Sequence, residues 1–428
     1  MHRKFPGLEL IALHAYSSAP IPAAAALPVR RWSPETGIPL RVFLECAIPE
    51  TAASAIKIIE WRPALSVYGE AYRWLLRETV DFIKRLDANM RTTRAFGPRW
   101  FRNFFKNLLI IRRVRLQDHS GTLPLILTAA GPSLEEALPL IHGLRRQSPH
   151  GILAVSSSVP ALNARGIQPD MVITTDGGPW ASFHLYECLR RPPPWALAAS
   201  LCAALPSQCE DIDLVPLSDG SLWQTLILRA LGIPFISVPQ RGTVSASALD
   251  LALSLTQGKI YLAGMDLAHR DIRTHARPYS FDRLLTEGAF RLNPAYTQSF
   301  TRSRSILVNG SHAIYAAWFR QHLDTYPDRI YPLGSAHPVF KALKEREDLR
   351  LPMPVAQEPL IRTLPIPRQD HPVQKGLSVL MQALEDPCTQ AKVREEATSL
   401  VTPGEEVGLH TLKARMFRLV QPYTKVRL

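Results

Sequence analysis

The chain has 428 residues, 46% hydrophobic and 20% charged, a balance that excludes collagen-like, disulfide-scaffold and globally disordered classes. A formal net charge of +13 suits anionic partners such as nucleic acid, acidic membrane or phosphorylated small molecules, or serves solubility and steering. Five cysteines with no CxxC pair argue against a zinc site or disulfide framework and for a reducing compartment, and no run reaches the ~20 apolar residues of a membrane span.

Three zones follow one another: an N-terminal α/β extension at 1–115, a core at 116–340, and a proline-rich linker with a helical tail at 341–428. The start, Met1-His2-Arg3-Lys4-Phe5, is basic and Ala23–Ala26 is small and apolar, but Pro20, Pro22 and Pro28 interrupt it. No signal-peptide core is read, and a cytoplasmic location is expected. Ile56–Trp61 reads as a short strand and Tyr72–Arg85 has helical apolar spacing. Trp100–Val114 reads as an aromatic, basic helix. It could meet a membrane or nucleic acid, or bury its rings in its own core while its cationic stems snorkel. Strands are predicted at Leu123–Ala129, Gly151–Ser156, Met171–Thr175, Trp195–Leu201, Asp213–Pro216, Phe235–Val238 and Lys259–Ala263, with helices at Leu134–Leu144 and Val244–Thr256. Strands alternating with helices imply βαβ units: a doubly wound, mostly parallel, Rossmann-like α/β sheet with helical N- and C-terminal extensions. Leu351–Pro372 carries six prolines and reads as an extended linker. Leu377–Leu400 is expected to be helical, and the end from Lys413 is basic.

Four strand ends carry residues able to hold a ligand. After the first core strand, Gly131-Pro132-Ser133 permits a tight turn, fixes φ and supplies a cap or ligand-binding hydroxyl at a helix N-terminus, an anion site. The same three residues also suit a purely structural turn. The motif is neither the six-residue Rossmann glycine pattern nor a Walker loop. Ser156-Ser157-Ser158 closes the next strand. Asp176 ends the third, where open α/β sheets bind ligands, with an Asx turn before Gly177-Gly178 as its structural alternative. Asp170 precedes that strand, on the wrong side of the sheet, and reads as structural. Arg241-Gly242-Thr243 opens another helix. Gly264-Met265-Asp266-Leu267-Ala268-His269, with His275 beyond, supplies a carboxylate and the chain's best acid–base candidates. No zinc-finger spacing, basic region with heptads or aromatic-interleaved strand is present, so nucleic acid is not an expected partner.

These motifs together resemble the motility accessory factor family. The resemblance rests on Asn103–Glu135 with Leu108-Leu109 and Gly-Pro-Ser-Leu-Glu. It rests also on Gly166-Ile-x-Pro-Asp170 with Asp176, on Gly242-Thr-Val, and on Gly264-x-Asp-Leu-Ala268 with His275-Ala276. It spans about residues 100–330. That family is grouped with archaeal 6-hydroxymethylpterin pyrophosphokinases, and its core is similar to bacterial sialyltransferases. The resemblance implies a glycosyltransferase moving a sialic-acid-like sugar from a CMP donor to protein Ser or Thr hydroxyls, with flagellin as a candidate acceptor. The second implication is diphosphate transfer from ATP with magnesium, for which Asp176 and Asp266 are the candidate ligands. A silent scaffold of the same fold is the third reading. On the first, Gly131, Pro132, Ser133 and Ser158 hold the nucleotide, Arg241, Gly242 and Thr243 its phosphate, Asp176 orients donor or acceptor, and His275 or Asp266 takes the acceptor proton. No resident metal or cofactor is assigned. Two departures stand out: Ser156–Ser158 where many relatives carry an asparagine, and Met265 where glutamine is common.

Overall fold

The computed structural model describes residues 9–16, 29–48, 55–116, 121–147, 150–194, 196–267, 275–295, 297, 315–316, 318–319, 323, 325–326, 328–333, 362–365, 370–402 and 407–424. The Met1–Phe5 start, Ala23–Ala26, linker residues 351–361, Ala268 and His269 lie outside them. Packing divides the chain into two units, Met1–Pro98 with Ala397–Leu412, and Arg99–Glu396 with Lys413–Leu428. The division thus falls at Pro98, not near 115, and the C-terminal helices are shared between the units.

In the first unit, β1 (Leu10–Leu13) and β2 (Val29–Trp32) pair in parallel. Helix α1 (Leu40–Ala47) and the first part of α2 (Arg62–Leu108), which is interrupted at Gly69, supply the rest. Their apolar faces meet in a small core of Trp32, Leu40, Leu44, Leu75, Phe82, Leu86 and Met90. The strand expected at Ile56–Trp61 does not form. Ile59 and Trp61 are 73% and 70% exposed; β-branched sequence without a neighbouring strand has no ladder to join.

The second unit holds the sheet. Its strands are β3 (Arg113–Leu116), β4 (Leu125–Thr128), β5 (Gly151–Val155), β6 (Met171–Thr174), β7 (Ala196–Ser200), β8 (Leu214–Ser218), β9 (Ile236–Ser237), β10 (Ile260–Ala263), β11 (Ile330–Pro332) and β12 (Arg362–Pro365). Among the described residues the order is β11-β10-β4-β5-β6-β7-β8-β3-β12, with β9 also on β8. Every pairing is parallel except β12 on β3. The expected α/β class holds. The helices are α3 (Leu134–Gln147), α4 (Val159–Asn163), α5 (Ser182–Arg190), α6 (Leu222–Ala230), α7 (Val244–Leu255), α8 (Asp282–Glu287), α9 (Pro372–Ala383), α10 (Gln390–Val401) and α11 (Leu409–Thr424).

Alternate strand residues feed two cores. Leu125, Leu127, Leu153 and Ile173 pack with the apolar face of α7, while Ile126, Ile152, Ala154 and Val172 pack with α3 and α4. Burial on both faces explains the unbroken apolar runs of these strands. The helix expected over Trp100–Val114 ends at Leu108, and Arg113 already belongs to β3. Its rings serve the core: Phe101, Phe104 and Phe105 are fully buried, with Phe104 4.6 Å from Trp223. Its polar residues clamp the turn after β7. Asn107 Nδ2 donates to the carbonyls of Leu201 and Ala203, and Lys106 Nζ to that of Leu205.

Candidate functional site

The sheet supplies a crevice by its topology. From β4 the chain passes through α3 to β5 on one side, whereas β10 lies on the other side of β4. Connections therefore diverge at the carboxyl ends of β4 and β10, the switch point at which open α/β sheets bind ligands. A cleft of about 300 Å³ opens there. It gathers Gly131 after β4, Ser156 and Ser157 after β5, Asp176 after β6, Thr243 at the start of α7, and Asp266 after β10. His275 reaches it from farther along the chain. Strand ends separated by up to 135 positions in sequence thus share one cavity.

Its first wall revises the expected phosphate loop. Gly131 N–H donates to the Gly264 carbonyl at 2.8 Å, Pro132 has no N–H, and Ser133 gives both its N–H (3.0 Å) and its hydroxyl (2.8 Å) to Asp266 Oδ2. Ser133 is fully buried. The N-terminus of α3 is therefore filled by the protein's own carboxylate, an N-cap delivered from 133 residues away, which satisfies the donors a phosphate would need. Gly131-Pro132-Ser133 shapes the wall and is corrected to a structural role. Gly131 is required there because a Cβ would stand 2.0 Å from Asp266 Oδ2 and 2.5 Å from the Gly264 carbonyl. Asp266, with Oδ2 engaged by two donors, is correspondingly less suited to act as the base.

A helix start suited to an anion is found instead at α7. Thr243 is its N-cap in extended conformation, without a side-chain cap hydrogen bond. Its carbonyl takes the N–H groups of Ala246 and Ser247. The amides of Val244 and Ser245, both at the cleft, donate to no acceptor among the described residues. Two unpaired N–H groups at the positive end of a 12-residue helix form an anion site. Gly242, at φ 76°, provides the left-handed turn that aims it. Arg241 does not line the cleft: its Nε holds Asp250 at 2.8 Å and its guanidinium lies 5.4 Å from the Trp318 ring centre. Its expected phosphate contact is corrected to an ion pair within the fold.

On the far wall Asp176 is exposed, and its Oδ1 accepts the Gly178 N–H at 2.7 Å. The Asx turn and the cleft position hold together. Ser158 is fully buried; its hydroxyl donates to the Val155 carbonyl at 2.8 Å and bonds Thr128 Oγ1 at 3.0 Å. It ties β4 to β5 and does not reach the cleft, which Ser156 and Ser157 line instead. Asp170 is structural as read: Arg145 grips both its oxygens, and the Ile152 N–H donates to one.

His275 stacks flat on Tyr279, ring centres 4.0 Å apart and 7° from parallel, and the Ala276 N–H donates to the Ala130 carbonyl at 2.8 Å. The sequence reading missed His184, which lies in α5 outside any motif and carries no local signal. It lines the cleft, with Nδ1 3.0 Å from Ser280 Oγ. Burial pulls its pKa down to about 4, only partly opposed by Asp176, so the ring is a neutral imidazole near pH 7. The sign is fixed by linkage. The unfolded chain takes up this proton near pH 6.5 and the folded one only near 4, so the contribution is full above pH 6.5 and lost as pH falls toward 4. The difference amounts to about 3 kcal/mol. In urea titrations at pH 4 and 6.5, the rise in unfolding free energy should be smaller by about that amount in His184→Gln. An equal rise in both proteins would contradict a neutral His184.

Fold and cleft define an open, doubly wound α/β protein with a cleft at the switch point. Residues 99–271 match the family described as 6-hydroxymethylpterin diphosphokinase MptE-like, so this segment is similar to that family. An uncharacterized protein of Treponema pallidum (strain Nichols) is 30% identical over 288 residues, 67% of this chain and 61% of the relative. The chain thus spans about three fifths of that relative's length. Among solved structures, the MAf glycosyltransferase from Magnetospirillum magneticum AMB-1 is similar at 15% identity and a TM-score of 0.41, over 83% of this chain and 58% of that one. No helix among the described residues is long and apolar enough to cross a membrane.

Proposed function

We propose that the chain is a transferase using an anionic nucleotide donor, and more finely a glycosyltransferase that moves a sialic-acid-like sugar from a CMP donor to a protein Ser or Thr hydroxyl. The observation that carries this reading is the unpaired N-terminus of α7 facing the same cleft as Asp176 and the neutral His184. The donor's phosphate sits at the Val244 and Ser245 amides. The acceptor hydroxyl attacks the sugar's anomeric carbon as the bond to the CMP phosphate oxygen breaks. Charge developing on the departing phosphate is met by fixed N–H dipoles in place before the reaction. The acceptor's proton passes to an imidazole of the cleft, His275 or His184. Asp176 orients the reacting groups.

The family description of residues 99–271 supports a second reading, diphosphate transfer from ATP with magnesium. Asp176 and Asp266 edge the cleft, but among the described residues no three His, Cys, Asp or Glu side chains cluster as a metal cage. Magnesium bound here would share its coordination with the substrate's phosphates and water, which suits its chemistry, and would neutralise the diphosphate charge.

Thermal unfolding separates these readings. CMP at about 100 times its dissociation constant should stabilise by about 2.7 kcal/mol. Val244→Pro removes one amide donor at a helix position where proline is well tolerated, and should weaken CMP binding about tenfold, as for a lost hydrogen bond to a charged group. A shift with ATP and magnesium alone would transfer the assignment to diphosphate transfer. No shift with either would leave a ligand-free scaffold.

A further inference from the structure

A second cavity adjoins the cleft. It is an open groove of about 970 Å³, roughly three times the cleft's volume, and Tyr279 lines both. Ser280, on the groove side, bonds the cleft residue His184 through Nδ1. The groove therefore ends against the two residues that border the imidazoles. A transferase needs such a pair of adjoining sites, because donor and acceptor must be bound together for the reacting atoms to meet.

The groove's lining indicates what it accepts. Aromatic surface comes from Phe183 and Tyr186, the latter 49% exposed. Arg190, Arg191 and Arg283 bring three guanidinium groups against the carboxylates of Glu187 and Asp282. Asp282 is already occupied by the Tyr279 N–H at 2.8 Å, and Glu187 by Arg190 at 3.1 Å. Arg191 is exposed and has no partner among the described residues, while Arg283 pairs on the surface with Glu287. Exposed guanidinium forks beside aromatic faces recognise carboxylates. The volume exceeds what a single small acceptor fills and fits an extended stretch of several residues.

We propose that this groove is the acceptor subsite, and that its occupant is a polypeptide segment carrying acidic residues beside the hydroxyl to be modified. The proposal rests on the transferase reading of the neighbouring cleft. Arg191 and Arg283 select the segment by charge, and Tyr279 and Ser280 form the threshold across which its hydroxyl meets the donor.

The test uses the full chain and two fluorescein-labelled 12-residue peptides, each with a central Ser, one flanked by Asp and Glu and the other by Lys and Arg. Fluorescence anisotropy should show the acidic peptide binding at least tenfold more tightly. The double variant Arg191→Glu, Arg283→Glu should lose at least tenfold of that affinity, while the melting shift with CMP stays as in the parent. Both side chains are exposed, so the variant is expected to fold, and its unchanged CMP shift would show that it has. Equal binding of the two peptides, no binding of either, or equal affinity of parent and variant would overturn the acceptor assignment. Because peptide binding is measured without nucleotide, a missing CMP shift counts against the donor reading alone.

Discussion

Replacing Gly264 by Ala should cost about 3–5 kcal/mol of stability, a larger effect than at other left-handed glycines of this fold. Two terms add. Gly264 sits at φ 70°, where an L-residue pays about 1–2 kcal/mol. A Cβ there would also stand 2.1 Å from the Ala129 carbonyl oxygen and 2.9 Å from Leu134 Cβ. That carbonyl has little room to retreat, because Ala129 N–H is bonded to the Ala263 carbonyl and Gly131 N–H to that of Gly264, each at 2.8 Å. The loops after β4 and β10 are laced together at the floor of the cleft. Gly166 is the internal control: its φ is 69°, and nothing lies within 4 Å of its Cβ position. Gly166→Ala should therefore cost only the conformational term, about 1–2 kcal/mol. Urea unfolding of the two variants measures the difference, and equal costs would mean that the two loops are not in close contact. Because Gly264 also sets the direction of Asp266, the variant should lose ligand binding together with stability.

The same pair of loops shows how far sequence could be read. The sheet's strands were legible because burial on both faces imposes short apolar runs, as in Leu125-Ile126-Leu127, and their turns carry Gly, Pro and Ser. That Gly131-Pro132-Ser133 opens a helix was equally plain. That its N-terminus is already filled was not, because the group that fills it, Asp266, comes from another strand end and no local pattern records so distant a cap. The α7 terminus shows the converse: Thr243 looks like an ordinary capping residue, and only the packing around it shows that the Val244 and Ser245 amides find no acceptor among the described residues. His184 was invisible because a helical histidine acquires a role only from where α5 begins relative to the cleft. The proline-rich stretch was read as an extended linker, whereas Arg362–Pro365 within it pair with β3 as an edge strand, the place where a sheet tolerates proline. Trp100–Val114 misled at its end: an apolar run continues past Leu108 through Leu109, Ile110 and Ile111, while the alternation that makes Arg113–Leu116 a strand is only four residues long.

Asp266→Asn should separate the two chemistries left to the cleft. In the native protein its carboxylate caps α3 through Ser133 and places a negative charge beside the site that α7 offers to an anion. Asparagine keeps an oxygen that accepts the Ser133 N–H and hydroxyl, so the loss of stability should stay near 1 kcal/mol, the value of the charge at a helix N-terminus. Alanine would instead strand two donors, both on the fully buried Ser133, and cost about 2–3 kcal/mol. The effect on ligands depends on whether a metal takes part. If the donor is a CMP-sugar held by α7 amides, removing a nearby negative charge strengthens its binding several-fold, and the melting shift with CMP grows in Asp266→Asn relative to the parent. If the substrate is ATP with magnesium, the same change removes a ligand or close counter-charge of the cation, and the shift with ATP and magnesium shrinks. A carboxylate near the bound anion opposes one reaction's ligand and assists the other's, so the sign of a single melting difference assigns the site.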